Sequence, residues 1–349
     1  MPRVVTNSED VFLEICIPTY NRSSKLKRLL TILESELGAI SVDVHIRITI
    51  SNNHSSDNTQ EMLQNHSFRH NILVRTNSEN LGPLRNIWGL YETAKAKYIW
   101  LLSDDDIPKK GSLSKIIDAL VRFEPTVLTF EFEQPIGSSA RNHGNTTGIE
   151  EITDMHEAIP NILVLAKMSK YIVKAENLQN ALIRVNHLKD TGYGWLAVIL
   201  EIINMSEVKK VIVYHEFLAR CDEDFGNLCD GFSPQFWDDY LLLLDHEIVI
   251  NNCPEYARKY KYRHYPYVVG MNYGVLAGLT NCSNLSPFRE NGKKIPFHTS
   301  YFRDPFAMFQ WICLRLDVPA WRVIYRISIY AREFARELKK RLFASDEKA

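Results

Sequence analysis

The sequence predicts an α/β protein with a mostly parallel sheet flanked by helices, and three observations lead to that prediction. Residues 1–135 contain short apolar runs rich in β-branched residues. Stretches with helical periodicity separate these runs, and this alternation is typical of right-handed βαβ units. The composition, 45% apolar and 24% charged in 349 residues, is that of a globular chain with a sizeable core.

The elements follow in order along the chain. The apolar runs expected to be strands are residues 12–17, 44–50, 72–74, 98–102 and 127–132. The helical segments between them are residues 24–37, 83–94 and 111–123. Residues 171–185 and 193–205 are expected to form helices, or a strand and a helix, and residues 208–214 a strand. In such a sheet, ligands bind beyond the carboxyl ends of the strands, so the residues that follow each run are the candidates for function.

Charge and cysteine content exclude some classes of function. The 41 basic and 42 acidic residues give a net charge of -1, so no overall field favours nucleic acid and no nucleic-acid partner is expected. The six cysteines form no C-x-x-C pair and match no zinc module, which is typical of a reducing compartment. The chain has neither a signal-like N-terminus nor an apolar stretch of about 18 residues, so it is expected to be cytoplasmic.

Polar segments follow four of the predicted strands. They are PTYNR at 18–22, SNNHSSDNT at 51–59, NLG at 80–82 followed by RN at 85–86, and SDDD at 103–106. A strand that leads through a polar turn into a helix is a natural anion site, because unpaired backbone N–H groups point outward there. The sequence therefore predicts an anion-binding edge of the sheet.

The carboxylates of Asp104, Asp105 and Asp106 are consecutive. Their mutual repulsion raises at least one pKa unless a cation lies among them. Capping the next helix needs only one acidic residue, so a solvated cap is the weaker of the two interpretations. Hard oxygen ligands of this kind suit Mg²⁺ or Mn²⁺, which usually also bind substrate phosphates. We therefore expect a Mn²⁺ or Mg²⁺ site at this turn.

Taken in order, each after its own strand, the four segments resemble the family-2 glycosyltransferases, whose GT-A fold is Rossmann-like. The likeness covers residues 12–225. It implies a nucleotide-diphosphate sugar donor, a saccharide acceptor, and an Asp-rich turn that holds the metal and the diphosphate. The nucleotide-binding residues that it implies are Pro18, Thr19, Tyr20, Arg22, Asn52, Asn53, Gly82, Arg85, Asp104 and Asp105. The metal ligands that it implies include Asp104, Asp105 and Asp106.

Asn52 departs from the family pattern, in which an Asp commonly accepts the N3–H of uracil. An amide offers one donor and one acceptor side by side, which matches cytosine twice. This favours a cytidine-activated donor, and bacterial transferases that resemble this chain, such as abequosyltransferases of O-antigen synthesis, use CDP-activated 3,6-dideoxyhexoses. A UDP-sugar or dTDP-sugar donor stays open as an alternative within the family. The interpretation that Asn52 only braces its loop also stays open. A non-catalytic nucleotide-sugar-binding protein is the alternative from another class.

The catalytic base is a second departure. Inverting members of the family place a carboxylate just before a helix past the middle of the sheet, where it takes the proton of the acceptor hydroxyl. The matching stretch here, GYGW at 192–195, lacks that acid. Asp190, which precedes it, is the first candidate, and Glu201 on the following helix is the second. A retaining reaction assisted by the donor's own phosphate stays open.

The end of the last predicted strand supplies two further candidates. Residues 213–222 resemble the strand and Arg-x-His ending of the family, with Asp222 in the place of the His. The resemblance implies that Asp222 is a metal ligand and that Arg220 neutralises the diphosphate. An exposed polar loop is the alternative interpretation.

Two domains are expected, with residues 1–235 forming the nucleotide-sugar-binding and catalytic domain and residues 236–349 a helical C-terminal region. The segment 321–343 is rich in Arg, Lys and aromatic residues and predicts a basic amphipathic helix. Such a helix can lie on an anionic membrane surface. We therefore expect peripheral association with the inner face of the cytoplasmic membrane and a polyprenyl-lipid-linked acceptor. The alternative is a helix that packs its apolar side on the protein.

Overall fold

The apolar runs pair into one central sheet in the computed structural model, which describes residues 11–65, 69–133, 148–163, 167–221 and 235–259. All five early strands are confirmed. The strands are β1 Leu13–Thr19, β2 Ile46–Asn52, β3 Ile72–Thr76, β4 Tyr98–Leu101, β5 Asp106–Pro108, β6 Val127–Glu133, β7 Ile149–Ile152, β8 Tyr171–Lys174 and β9 Val211–Cys221. Within the described ranges their order is β3-β2-β1-β4-β8-β6-β9-β5, and β7 pairs with β9.

The helices alternate with the early strands as the periodicity predicts. They are α1 Ser23–Gly38, α2 Thr59–Asn65, α3 Gly82–Thr93, α4 Ser112–Phe123, α5 Met155–Leu163, α6 Leu178–Arg184, α7 Gly194–Met205, α8 Gln235–Leu244, α9 Glu247–Asn252 and α10 Pro254–Lys259. Residues 171–185 form a strand followed by a helix, which settles one of the two possibilities left open by the sequence. No helix of the described residues is both long and apolar enough to span a bilayer.

The half of the sheet made by β3, β2, β1 and β4 is parallel. Thr19 pairs with Asn52, and Asn52 pairs with Thr76, so the three strands end in register. The loops that follow β1, β2 and β3 therefore leave the sheet at one edge, next to the turn that follows β4.

The other half of the sheet is mixed. The strand β8 lies antiparallel between β4 and β6, and β5 and β7 are antiparallel to β9. The expectation of a mostly parallel sheet thus holds for the first four strands and for the parallel pair β6 and β9, whereas β5, β7 and β8 depart from it. The core on one face is formed by apolar side chains of α1 and α4 that are fully buried against the sheet: Leu26, Leu29, Leu30, Leu33, Leu113, Ile116, Ile117 and Leu120.

The chain divides into two units. The first contains residues 1–223 and 245–253 and holds the whole sheet with α1–α7 and α9. The second contains residues 224–244 and 254–349, of which the structure describes α8 and α10. The predicted boundary after residue 235 stays a prediction, and the segment 321–343 lies outside the described residues.

Candidate active site

The loop after β1 contacts the acidic turn after β4. Thr19 Oγ1 donates a hydrogen bond of 2.7 Å to Asp104 Oδ2. Arg22 Nη1 lies 2.7 Å from Asp104 Oδ1 and 2.8 Å from Asp105 Oδ2, so a single nitrogen bridges two carboxylates. The Asp104 side chain is 3% exposed, whereas that of Arg22 is 44% exposed. Two segments that the sequence placed separately therefore meet in one charged cluster.

The fold brings these segments together because β1 and β4 are parallel neighbours. Leu102 N donates to Cys16 O at 2.9 Å just before the acidic turn. After β1 the backbone turns through Asn21, which has a φ of 52°, and α1 begins two residues later. The Asn21 side chain also accepts from Ser56 N at 2.8 Å, which fixes the first loop against the second.

The hydrogen-bond and ion-pair partners of Asp106 differ from those of Asp104 and Asp105. It begins β5, its Oδ2 accepts from Ser169 Oγ at 2.5 Å, and its Oδ1 lies 2.9 Å from Lys167 Nζ. Ser169 Oγ also accepts from Ser103 N at 2.9 Å. The Asp106 side chain is 1% exposed. Its contacts with Ser169 and Lys167 hold the acidic turn against the segment before β8. The role of Asp106 as a metal ligand stays a prediction, and in this structure Asp104 and Asp105 share the guanidinium of Arg22 whereas Asp106 contacts Lys167 and Ser169.

The three carboxylates differ in their electrostatic surroundings. Burial raises the pKa of Asp104 to about 6 despite the charge of Arg22, and burial also raises the pKa of Asp106. For Asp105, burial is outweighed by the hydrogen bond from Ser103 and the nearby cations, so its pKa lies below the usual range. Arg22 and Lys167 thus supply from within the chain the counter-charge that the sequence argument assigned to a metal.

The side chains of Asn52 and Asn53 are buried and brace the second and third loops. Asn52 Nδ2 donates to Gln60 Oε1 at 2.8 Å, and Asn52 Oδ1 accepts from Ser55 N at 3.1 Å. Asn53 Nδ2 donates to Asn80 Oδ1 at 2.7 Å, and its Oδ1 accepts from Leu81 N at 3.0 Å. Both polar atoms of Asn52 therefore hold its loop in this structure.

The third loop turns at Gly82, whose φ of 79° favours glycine. Gly82 N donates to Asn80 Oδ1 at 2.9 Å, and α3 begins here. Asn86, one turn into the helix, accepts from Ser51 Oγ at 2.6 Å and donates to Ser51 O at 3.1 Å. The two residues of the Arg-Asn pair therefore differ in role. Asn86 hydrogen-bonds to the end of β2, whereas Arg85 is exposed.

Arg85 and Asp190 form a bidentate ion pair that sequence reasoning did not predict. Arg85 Nε lies 2.7 Å from Asp190 Oδ1, and Arg85 Nη2 lies 3.1 Å from Asp190 Oδ2. Both side chains are more than half exposed. The hydrogen bonds from Arg85 lower the pKa of Asp190. A candidate base is thereby joined to a candidate nucleotide-binding residue across 105 positions of the chain.

Within the stretch at 192–195, Gly194 has no room for a side chain. A Cβ at Gly194 would lie 2.3 Å from the backbone oxygen of Leu188, so no side chain fits where α7 begins. Trp195 Nε1 donates to Gly192 O at 2.9 Å and locks the same turn. At Gly194 the backbone of α7 therefore packs directly against the backbone at Leu188.

Glu201, the second candidate base, contacts residues of other helices. Its Oε2 lies 3.5 Å from Arg184 Nη1 on α6, and its Oε1 lies 3.9 Å from His246 Nε2 at the start of α9. Glu201 is 6% exposed. These contacts join α6, α7 and α9.

Arg220 and the predicted nucleotide contacts of β1 lie at the edges of the cluster. Arg220 in β9 pairs with Ile107 of β5, the residue after Asp106. Pro18 is near the end of β1, and the Tyr20 side chain is 41% exposed beyond it. Asp222 lies outside the described residues.

Lys167 and Ser169 are the site residues that sequence reasoning missed. They precede β8, and only the pairing of β8 with β4 brings them to the acidic turn. No local motif marks them. Within the described ranges, no group of three or more His, Cys, Asp or Glu side chains is arranged to hold a metal ion.

The sequence of the chain matches a protein family and a curated relative. The family model described as glycosyl transferase family 2 matches residues 14–191, just over half of the chain. The abequosyltransferase RfbV of Salmonella typhimurium strain LT2 is 36% identical over 106 residues, which are 30% of this chain and 31% of that protein. The chain therefore matches less than a third of the length of this curated relative.

Solved structures share the fold. Residues 1–349 of S. aureus TarS in complex with UDP-GlcNAc superpose with a TM-score of 0.57 at 14% identity, covering 91% of this chain and 92% of that one. A second S. aureus TarS structure gives a TM-score of 0.54 at 14% identity, covering 88% of this chain and 50% of that one. At this identity the likeness concerns the fold alone, which is GT-A as expected.

Proposed function

This chain belongs to glycosyl transferase family 2, and on that premise we propose that it transfers a sugar from a nucleotide-diphosphate donor to a saccharide acceptor in O-antigen or related surface-polysaccharide synthesis. The observation that carries the proposal is the cluster of Thr19, Arg22, Asp104 and Asp105 at the carboxyl edge of β1 and β4. The likeness to an abequosyltransferase supports the polysaccharide context.

The same edge offers complementary groups for the donor. Tyr20 presents an exposed ring, which suits stacking on a base. Arg22 and Arg85 present guanidinium groups, which suit the diphosphate because their paired N–H donors match its oxygens. In this proposal the braced loops after β2 and β3 form the wall against which the nucleoside rests.

Asp104 and Asp105 fit a divalent cation. Mg²⁺ and Mn²⁺ sites on substrate phosphates typically use one or two protein carboxylates, and here one cationic nitrogen already contacts both. A bound cation would neutralise charge on the departing nucleotide diphosphate. Asp106 is assigned a positioning role through Ser169 and Lys167. Arg220, beside β5, is assigned to the diphosphate.

Donor turnover tests the central proposal. Nucleotide release from a panel of CDP-, UDP-, dTDP- and GDP-sugars is measured with Mn²⁺ or Mg²⁺. Asp105→Asn should abolish release because it removes a cation ligand, whereas Asp118→Asn, an exposed acid on α4, is the matched control and should keep it. A protein that binds nucleotides yet releases none from any donor is the non-catalytic binding protein instead. Full activity in EDTA contradicts the metal assignment.

Asp190 is the proposed general base. Its carboxylate would take the proton of the acceptor hydroxyl while that oxygen bonds to the anomeric carbon and the bond to the diphosphate breaks. Arg85 must first release it, and a bound diphosphate gives Arg85 another anionic partner. Asp190→Asn should lower turnover by about 10²–10⁴-fold with little change in donor affinity. Unchanged turnover would direct attention to Glu201, Asp222 or a retaining route.

We propose a cytidine-activated donor such as CDP-abequose as the first choice, with a UDP- or dTDP-sugar as the second. The abequosyltransferase relative supports the first, while a TarS structure that contains UDP-GlcNAc shares only the fold. Calorimetric binding of CDP, UDP, GDP and dTDP with Mn²⁺ decides between them, and tighter UDP binding rejects the cytidine donor. Because both atoms of Asn52 brace the loop, Asn52→Asp should weaken all four nucleotides alike. A switch from CDP to UDP in that variant would show direct recognition of the base by Asn52.

The acceptor and the membrane are proposed from the sequence. The basic segment 321–343 supports peripheral binding to anionic lipid, where a polyprenyl-linked acceptor would be met. Vesicles that contain phosphatidylglycerol should retain the protein at low salt, and vesicles of neutral lipid should not. Equal binding to both kinds of vesicle, or to neither, contradicts the electrostatic anchor.

A further inference from the structure

The bridge made by Arg22 has a consequence for the order in which ligands bind. One nitrogen, Nη1, makes both contacts, at 2.7 Å to Asp104 and 2.8 Å to Asp105. Two adjacent carboxylates that share one positive centre have the arrangement that they would adopt around a metal ion. Arg22 Nη1 therefore lies between the two carboxylates that are proposed as cation ligands.

We propose that Arg22 is a built-in counter-ion that competes with the divalent cation for Asp104 and Asp105, so that the cation binds tightly only when a nucleotide diphosphate draws the guanidinium away. This rests on the proposed function, because it takes the two carboxylates as the cation ligands. Arg22 is thus assigned as a positioning residue that couples the two ligands.

The exposure of the three side chains fits an exchange of this kind. Asp104 is 3% exposed, so leaving it without a cation is unfavourable, and some positive group must remain beside it. Arg22 is 44% exposed and Asp105 32% exposed, so the guanidinium has room on the solvent side. The hydrogen bonds of the Arg22 side chain to described residues all use Nη1, so Nε and Nη2 are the donors that an anion could engage.

Such an exchange predicts coupling between the two ligands. A diphosphate oxygen gives the guanidinium a new partner and gives the cation new ligands, so each ligand strengthens binding of the other. By linkage, the factor by which nucleotide tightens Mn²⁺ equals the factor by which Mn²⁺ tightens nucleotide. Removing the positive charge of Arg22 should strengthen Mn²⁺ binding in the absence of nucleotide and reduce the coupling.

Mn²⁺ binding to the full chain, followed by electron paramagnetic resonance, tests the proposal without any turnover. In the native protein, CDP or UDP should tighten Mn²⁺ by about tenfold or more. Arg22→Gln should bind Mn²⁺ without nucleotide about tenfold more tightly than the native protein. Arg122→Gln, which removes an exposed arginine of α4, is the matched control and should behave as the native protein does. Arg22→Lys, which keeps the charge, should also stay near the native value.

Two results overturn the inference. One is an Arg22→Gln protein with a native thermal melt whose nucleotide-free Mn²⁺ affinity is equal to or weaker than the native value. The other is the absence of coupling between Mn²⁺ and nucleotide in the native protein, which decides the matter even if the variant does not fold. Failure of the proposed function is seen separately, as no release of nucleotide from any donor. A protein in which nucleotide and Mn²⁺ strengthen each other's binding but which releases no nucleotide from any donor supports the inference and contradicts the proposed function.

Discussion

Glu36 of α1 caps the start of α4, and its substitution is predicted to lower the stability of the protein strongly. Glu36, near the end of α1, is 6% exposed and accepts from Gly111 N at 2.9 Å and from Leu113 N at 3.2 Å. The residue before α4 provides no side-chain cap of its own. Glu36→Ala leaves the buried Leu113 N–H unpaired, which costs about 1–3 kcal/mol, and removes an anion from a helix N-terminus, which costs about 0.3–1 kcal/mol. We expect a total loss of about 1–4 kcal/mol in the free energy of unfolding.

Urea unfolding followed by circular dichroism measures this loss. Glu36→Gln keeps only one of the two acceptor oxygens, so one backbone N–H of the α4 start loses its acceptor and faces an NH₂ group, and this variant should also lose about 1–3 kcal/mol. Ser35→Ala, at an exposed neighbouring position of α1, is the control and should change stability by less than about 0.5 kcal/mol. If Glu36→Ala costs no more than Ser35→Ala, the cap does not stabilise α4 and the reasoning is refuted.

Two further predictions concern other buried positions. Gly194→Ala should lower the thermal midpoint sharply, since its Cβ would lie 2.3 Å from Leu188 O, and an unchanged melt would contradict this contact. Burial lowers the pKa of Lys170 from 10.5 to about 8, so between these values the unfolded chain holds the proton and stability should rise with pH. This rise in the free energy of unfolding should be up to about 3 kcal/mol in the native protein and should disappear in Lys170→Met. Urea unfolding at pH 7 and pH 10 measures it. A variant with the same pH profile as the native protein would refute the prediction.

Local sequence was sufficient for β1–β4, β6 and β9 and for the edge at which the site lies, whereas the short strands β5 and β7 were not predicted. Apolar runs of β-branched residues followed by polar turns identify strands and their ends, because side-chain alternation and turn chemistry are local properties. The in-register ends of β1 and β2 then bring the loops after them together without further information. Thr19 and Asp104 are joined in this way.

The partners of the site residues needed contacts that no local pattern encodes. Asp106 starts a three-residue strand, so the alternation of the backbone turns it from Asp105 toward Ser169 and Lys167. The antiparallel insertion of β8 brings that segment there, and its pairing partner lies far away in sequence. Arg85 and Asp190 meet for the same kind of reason, through the packing of separate elements.

The buried amides beneath the second and third loops have a thermodynamic consequence. Asn77 Nδ2 donates to both Asn53 Oδ1, at 2.9 Å, and Asn86 Oδ1, at 3.0 Å, so amide groups from three segments hold one another. Their uncharged bonds depend little on ionic strength, and they already restrict the backbone before any ligand arrives. Nucleoside binding at this wall would therefore lose little conformational entropy, and its heat capacity change would report buried surface rather than folding of the loops.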